Sequence, residues 1–167
     1  MDFYVALVIF LGLLAYITFQ LFQIAPMTST TANEETIRIE AYQLSELLVN
    51  DGGHPNDWHD AVKYPSASDI KRIGLSDSTK NITNYLSRPK IDRFKALCTA
   101  DYNTIKTILD IQDEASFSII EHKPAGDEVY NSCKSSAARK TSFNVSRIVA
   151  IDGTSYPTEI IVEVWKR

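Results

Sequence analysis

Charge is missing from one end of this chain. Residues 1 to 26 hold a single charged residue, Asp2, and no Lys or Arg occurs before Arg38. The 167 residues carry a net charge of −4 with no basic excess, so binding to nucleic acid through its phosphates is excluded as an expectation. Cysteine is nearly absent. The two present, Cys98 and Cys133, lack C-x-x-C spacing and are too few for a zinc site, which leaves a disulfide or two free thiols. A phosphate-binding Gly loop, a nucleophile elbow and a pair of catalytic carboxylates are all missing. No catalytic residue, cofactor-binding residue, metal ligand or cofactor is therefore assigned, and the chain is not expected to be an enzyme. An anchored hydrolase would need a site that no motif here supplies.

The low charge at the N-terminus accompanies a long apolar run. Residues 1 to 26 contain 20 apolar residues, and Phe3 to Ala25 has no charge at all. A helix of 23 residues would be roughly 35 Å long, enough to cross a bilayer core. The run has no basic n-region and no A-x-A exit, and it is long for a cleaved signal, so it reads as a retained helix. It is apolar on every face, unlike the core helix of a soluble protein. An isolated anchor usually carries basic residues beside the span, and this one has none nearby. Tyr16, near the middle, needs a hydroxyl partner. Both features suit a helix that packs against other helices.

After Pro26 the pattern changes. Residues 27 to 33 are polar and follow a helix breaker, so they are expected to form a link that kinks or interrupts the helix. Thr31 and Glu34 have capping-box spacing, and Ile37, Ala41, Leu44 and Leu48 then recur as one apolar stripe that ends at Asn50-Asp-Gly-Gly53. Residues 54 to 87 read mostly as loop, pinned to a core by Trp58, Ile73, Leu75 and Leu86. Short helices are predicted near 88 to 98 and 101 to 110. The period then becomes two. Strands are predicted around Phe117 and Ile119, from Phe143 to Ile151, and from Ile160 to Val164, with Asp152-Gly153 in the last turn. Phe143, Val145 and Val149 are expected to face the core beside Ile160, Val162 and Val164. Residues 123 to 140 read as a long polar link. The fold class is α+β: 1–26 an apolar transmembrane or filament-core helix, 27–33 a link, and 34–167 a head with short helices and a small antiparallel sheet.

Few residues in the head suggest a site. His54, Asp57, His59 and Asp60 crowd into seven positions, but a metal needs three or four convergent ligands, and Pro55 breaks a regular helical spacing. A turn with Trp58 buried is the expectation. Asn81-Ile-Thr83 and Asn144-Val-Ser146 match the N-glycan acceptor pattern. An N-terminal span, two lone cysteines and two such sites together place residues 27–167 outside the cytoplasm as an expectation.

The order of features resembles the type IV pilin-like proteins, above all archaeal pilins and minor pilins. The likeness rests on the apolar start Met-Asp-Phe-Tyr-Val-Ala-Leu-Val-Ile-Phe and on the helix carrying Ala41, Leu44, Leu47 and Leu48. It continues through Gly53-His-Pro-Asn-Asp-Trp58, Ile73-Gly-Leu75, Leu86-Ser, Lys90 and Tyr102 to the ending Val145-Ser-Arg147 and Glu163-Val-Trp165. The resemblance implies a pilin-like head and a subunit of an extracellular, cell-surface filament, anchored in the membrane before assembly. Its partners would be further copies or other pilin subunits; N-glycans at Asn81 and Asn144 are expected from the acceptor pattern alone. The implied assembly helix carries Asp2, Phe3, Val5, Ile9, Gly12, Tyr16 and Phe19. Val5 stands where bacterial pilins carry a glutamate, which leaves Asp2 as the acid for a comparable role, pairing with the N-terminal amine of an adjacent subunit. The alternative is a monomeric single-span protein with an extracytoplasmic binding or assembly head.

Overall fold

The computed structural model describes residues 2–166 except Ser78 and Asn81, without the side chains of Asp2, residues 21–33, Asn131 and Ser132. The chain divides into two compact units, residues 1–36 and 37–167. Helix α1, Asp2–Asn50, contributes to both.

In the first unit, α1 is helical throughout, including residues 27–33 where a link was expected. That expectation is corrected. One proline removes one donor from the helical ladder, and propagation needs only one bond per residue fixed, so helical stretches on both sides outweigh the local loss. The same continuity means that Thr31 and Glu34 do not open a new helix.

The second unit is mixed α and β. Within it the last part of α1 presents Ile37, Ala41, Leu44 and Leu48, all buried, with Val49 beside them. Two further helices follow, α2 (Arg88–Ala100) and α3 (Tyr102–Ile108). Asp101 ends the first and caps the second, its carboxylate accepting the Asn103 N–H at 2.9 Å. Strands β1 (Tyr85–Leu86), β2 (Glu114–Lys123), β3 (Gly126–Lys134), β4 (Ser142–Ile151) and β5 (Thr158–Trp165) form one sheet in the order β1-β4-β5-β2-β3. All neighbours are antiparallel except the short β1, which runs parallel to β4.

Period-two alternation explains the sheet's two faces. Phe117, Ile119, Val145, Val149, Ile160, Val162 and Val164 point to the buried side, and Phe94 of α2 meets Phe117 edge to face at 5.7 Å between ring centres. Phe143 is only half-buried, at the border of this face. Asp152 and Gly153 lie in the connection between β4 and β5, where Gly153 has φ +80°.

Strand β3 corrects the sequence reading, which put residues 123 to 140 in a link. Its Asp127 and Glu128 hide the alternation, as edge strands often do when polar groups guard the free side. A register shift at Ile119/Ile120 disturbs the pattern further.

Candidate functional site: the exposed apolar helix

The stretch Phe3–Gln20 has a mean hydropathy of 2.1, and none of its residues is buried within the structure. Its length and composition fit a membrane span. Phe3, Val5, Ile9, Tyr16 and Phe19 are between 58% and 74% exposed. Around Gly12 no other atom lies within 4 Å of where a Cβ would be, so that position leaves a shallow notch in an otherwise bulky surface. The side chain of Asp2 lies outside the described residues.

Some polar groups of this stretch bond within the helix itself. Gln20 Nε2 donates to Tyr16 Oη at 2.9 Å, and Thr18 Oγ1 donates to the carbonyls of Leu14 and Ala15 at 3.0 and 2.9 Å. That bond comes from a glutamine one turn later and uses the acceptor side of the Tyr16 hydroxyl. That pairing was legible at spacing four, the spacing that places two side chains on one helical face.

In the second unit, residues quoted for the pilin resemblance serve as polar cross-links. Lys90 is 4% exposed; its ammonium donates to the carbonyls of Gly52 at 2.7 Å and Ser76 at 2.9 Å. Burial lowers its pKa, and the nearby Asp77 and Asp51 oppose that shift. Trp58 is fully buried and donates from Nε1 to the Gly74 carbonyl at 3.1 Å. Tyr102 Oη donates to the Ala115 carbonyl at 3.0 Å and accepts the Ala115 N–H at 2.9 Å. Arg147 reaches α1, with Nε on Ser45 Oγ at 2.9 Å and Nη2 on Glu46 Oε2 at 2.6 Å.

Two glycines let this knot close. Gly53 has φ +80°, and a Cβ there would sit 2.4 Å from Trp58 Nε1. A Cβ on Gly74 would sit 2.2 Å from the Asp51 carbonyl oxygen. Each of these residues fixes a loop that has little secondary structure of its own.

A cavity of about 440 Å³ lies nearby, with Asn56, Asp57, His59, Asp77 and Lys90 among its walls. Its charges are occupied by the loops themselves. Asp57 pairs with Lys63 at 2.6 Å, which holds its carboxyl below the usual range. Asp77 accepts from the Thr79 hydroxyl and N–H, with the same effect. His54 contributes its backbone to a bridge with Arg72. Among the described residues no group of three His, Cys, Asp or Glu side chains converges on a point that could hold a metal.

Cys98 of α2 and Cys133 of β3 are joined in a disulfide, with Cα atoms 5.7 Å apart. It ties a helix to the sheet's edge strand. Asn144 is exposed on β4, while Asn81 lies outside the described residues. No family model matches this chain, and neither a curated protein nor a solved structure does.

Proposed function

We propose that this protein is a structural subunit of an extracellular, type IV pilin-like filament, assembled through its apolar N-terminal helix and presenting the α+β head to solvent. The observation that carries this reading is that no residue of Phe3–Gln20 is buried, while the head buries its own core. Burying apolar surface contributes roughly 25 cal/mol per Å², so such a helix has a strong drive toward lipid or other helices. Before assembly the membrane takes it; in a filament, the same faces pack against neighbouring copies or other pilin subunits. The absence of Lys and Arg before Arg38 supports a helix that can leave the membrane, because no basic side chain along it is held at the head groups. In this arrangement Asp2 pairs with the N-terminal amine of the next subunit, an attraction strengthened where water is excluded. The head's disulfide fits an oxidising exterior, and Asn144 is open to glycan addition. The role is architectural, without catalysis or a cofactor.

Electron microscopy of material sheared from cells making the full chain tests this. Filaments should carry the protein, and Asp2→Ala should reduce assembly more than it reduces membrane insertion. A full chain that stays monomeric in membranes, with no filament in its presence, removes the proposal. The second reading, a monomeric anchored protein, is favoured by the internal bonds of Thr18 and Gln20, which meet part of the helix's polar demand without a neighbour.

A further inference from the structure

Both ring nitrogens of His122 face a carboxylate. Nδ1 lies 2.9 Å from Asp127 Oδ1, and Nε2 lies 3.1 Å from Glu159 Oε2. The three residues belong to three strands: His122 to β2, Asp127 to β3 and Glu159 to β5. His122 also pairs directly with Asp127 in the β2–β3 ladder, next to the hairpin tip, and its N–H donates to the Pro157 carbonyl just before β5 at 3.0 Å.

A neutral imidazole has one N–H and one lone pair, so it can donate to one carboxylate only and must turn the lone pair toward the other. The imidazolium donates to both. We propose that His122 is a protonation-dependent clamp, holding the tip of the β2–β3 hairpin to β5 as the imidazolium and releasing one of its two carboxylates when it loses a proton. This inference is independent of filament assembly.

The surrounding charges favour the clamp. On β2 and β3, Lys123, next to His122 in the chain, is shared between Glu121 and Glu128 and so is already engaged by other acids. From β4, the Ser146 hydroxyl donates to the second oxygen of Glu159, orienting that carboxylate. Asp127, followed by Glu159, holds the His122 ring above its ordinary pKa of 6.5. The bonds are charge-assisted while the ring is protonated. Because the site is solvent-exposed, its release acts on the hairpin tip and leaves the rest of the sheet paired.

An NMR titration of the full chain in detergent micelles tests the clamp, with the His122 Cε1–Hε1 signal assigned by its loss in His122→Gln. The expected midpoint lies above 6.5, and Asp127→Asn and Glu159→Gln each move it down. Amide exchange at residues 122–128, corrected for its intrinsic pH dependence, should quicken above the wild-type midpoint and show no such step in His122→Gln. A wild-type midpoint at or below 6.5, a midpoint unmoved by both variants, or hairpin protection that does not follow the titration overturns the proposal. The wild-type titration and exchange profile decide the question even if a variant does not fold.

Discussion

Residues 3–20 and residues 37–50 belong to the same helix, α1, yet they use apolar side chains in opposite ways. Ile9 and Phe10 are 59% and 60% exposed, whereas Ile37 and Leu48 are at most 1% exposed. The difference is one of pattern. Residues 37–50 bury Ile37, Ala41, Leu44 and Leu48 as one stripe and put Arg38, Glu46 and Asn50 elsewhere, so a single face can be covered by the rest of the head. Residues 3–20 are apolar all round, and one packed face would leave the others bare. A helix of the first kind completes a domain; a helix of the second kind needs a surrounding apolar medium, lipid or protein.

The comparison can be broken most forcefully from the head. Val162 is fully buried on β5, between Phe117 of β2 and Val145 of β4. Val162→Asp would bury an unpaired charge and should cost about 4 kcal/mol. Thermal unfolding of the full chain in detergent should show a large fall in the head's transition. An unchanged transition would mean that the inner face of the sheet is wrongly assigned.

Opening the Cys98–Cys133 disulfide comes next. The bond closes a separation of 35 residues, worth roughly 3 to 4 kcal/mol in the chain-entropy account. Cys98→Ala with Cys133→Ala should lower the denaturation midpoint accordingly. Mass spectrometry of the unreduced wild-type protein should find no alkylatable thiol.

The apolar helix sharpens the comparison from the other side. Leu11→Arg places a charge in the middle of the span, at a cost of about 3 kcal/mol for insertion. It should release protein from the membrane fraction while leaving the head's unfolding transition in place. A change in the head's transition would mean that the two regions are energetically coupled.

The smallest effect is the response to pH. His122 has a raised pKa in the folded state, so its contribution is fully present below the unfolded value of 6.5 and is lost as pH rises through the folded value. Asp152, held down by Lys80 and Tyr85, has the opposite sign: its contribution is present above the unfolded value of 3.8 and is lost as pH falls through the folded one. Stability of the head should therefore decline gently on both flanks. His122→Gln should flatten the neutral flank only, as read by denaturant midpoints across pH.

Much of this was legible in the residues because it rests on local periodicity. The stripe Ile37, Ala41, Leu44, Leu48 and the alternation in β4 and β5 follow from spacings of three to four and of two, while the buried pins Trp58, Ile73, Leu75 and Leu86 stand out as large apolar residues in a polar stretch. The apolar span required only composition and length. Strand β3 escaped notice because its pairing to β2 comes from the neighbour's hydrogen bonds, while its own side chains are mostly polar. The helical assignment of residues 27–33 was missed for a related reason. Pro26 is a local signal against helix, and cooperative propagation from the flanks overrode it.

What the sequence determined alone was therefore the kind of protein: an uncharged, membrane-length apolar helix and an α+β head with little charge excess. The tertiary structure decided which distant groups meet. Lys90 reaches the Gly52 and Ser76 carbonyls, Arg147 reaches Ser45 and Glu46, and His122 lies between Asp127 and Glu159. Periodicity acts over a few residues, but a hydrogen bond between residues a hundred positions apart depends on how the strands order themselves in the sheet. The order β1-β4-β5-β2-β3 pairs β1 with β4 and β5 with β2, strands far apart in the chain, a condition no single segment contains.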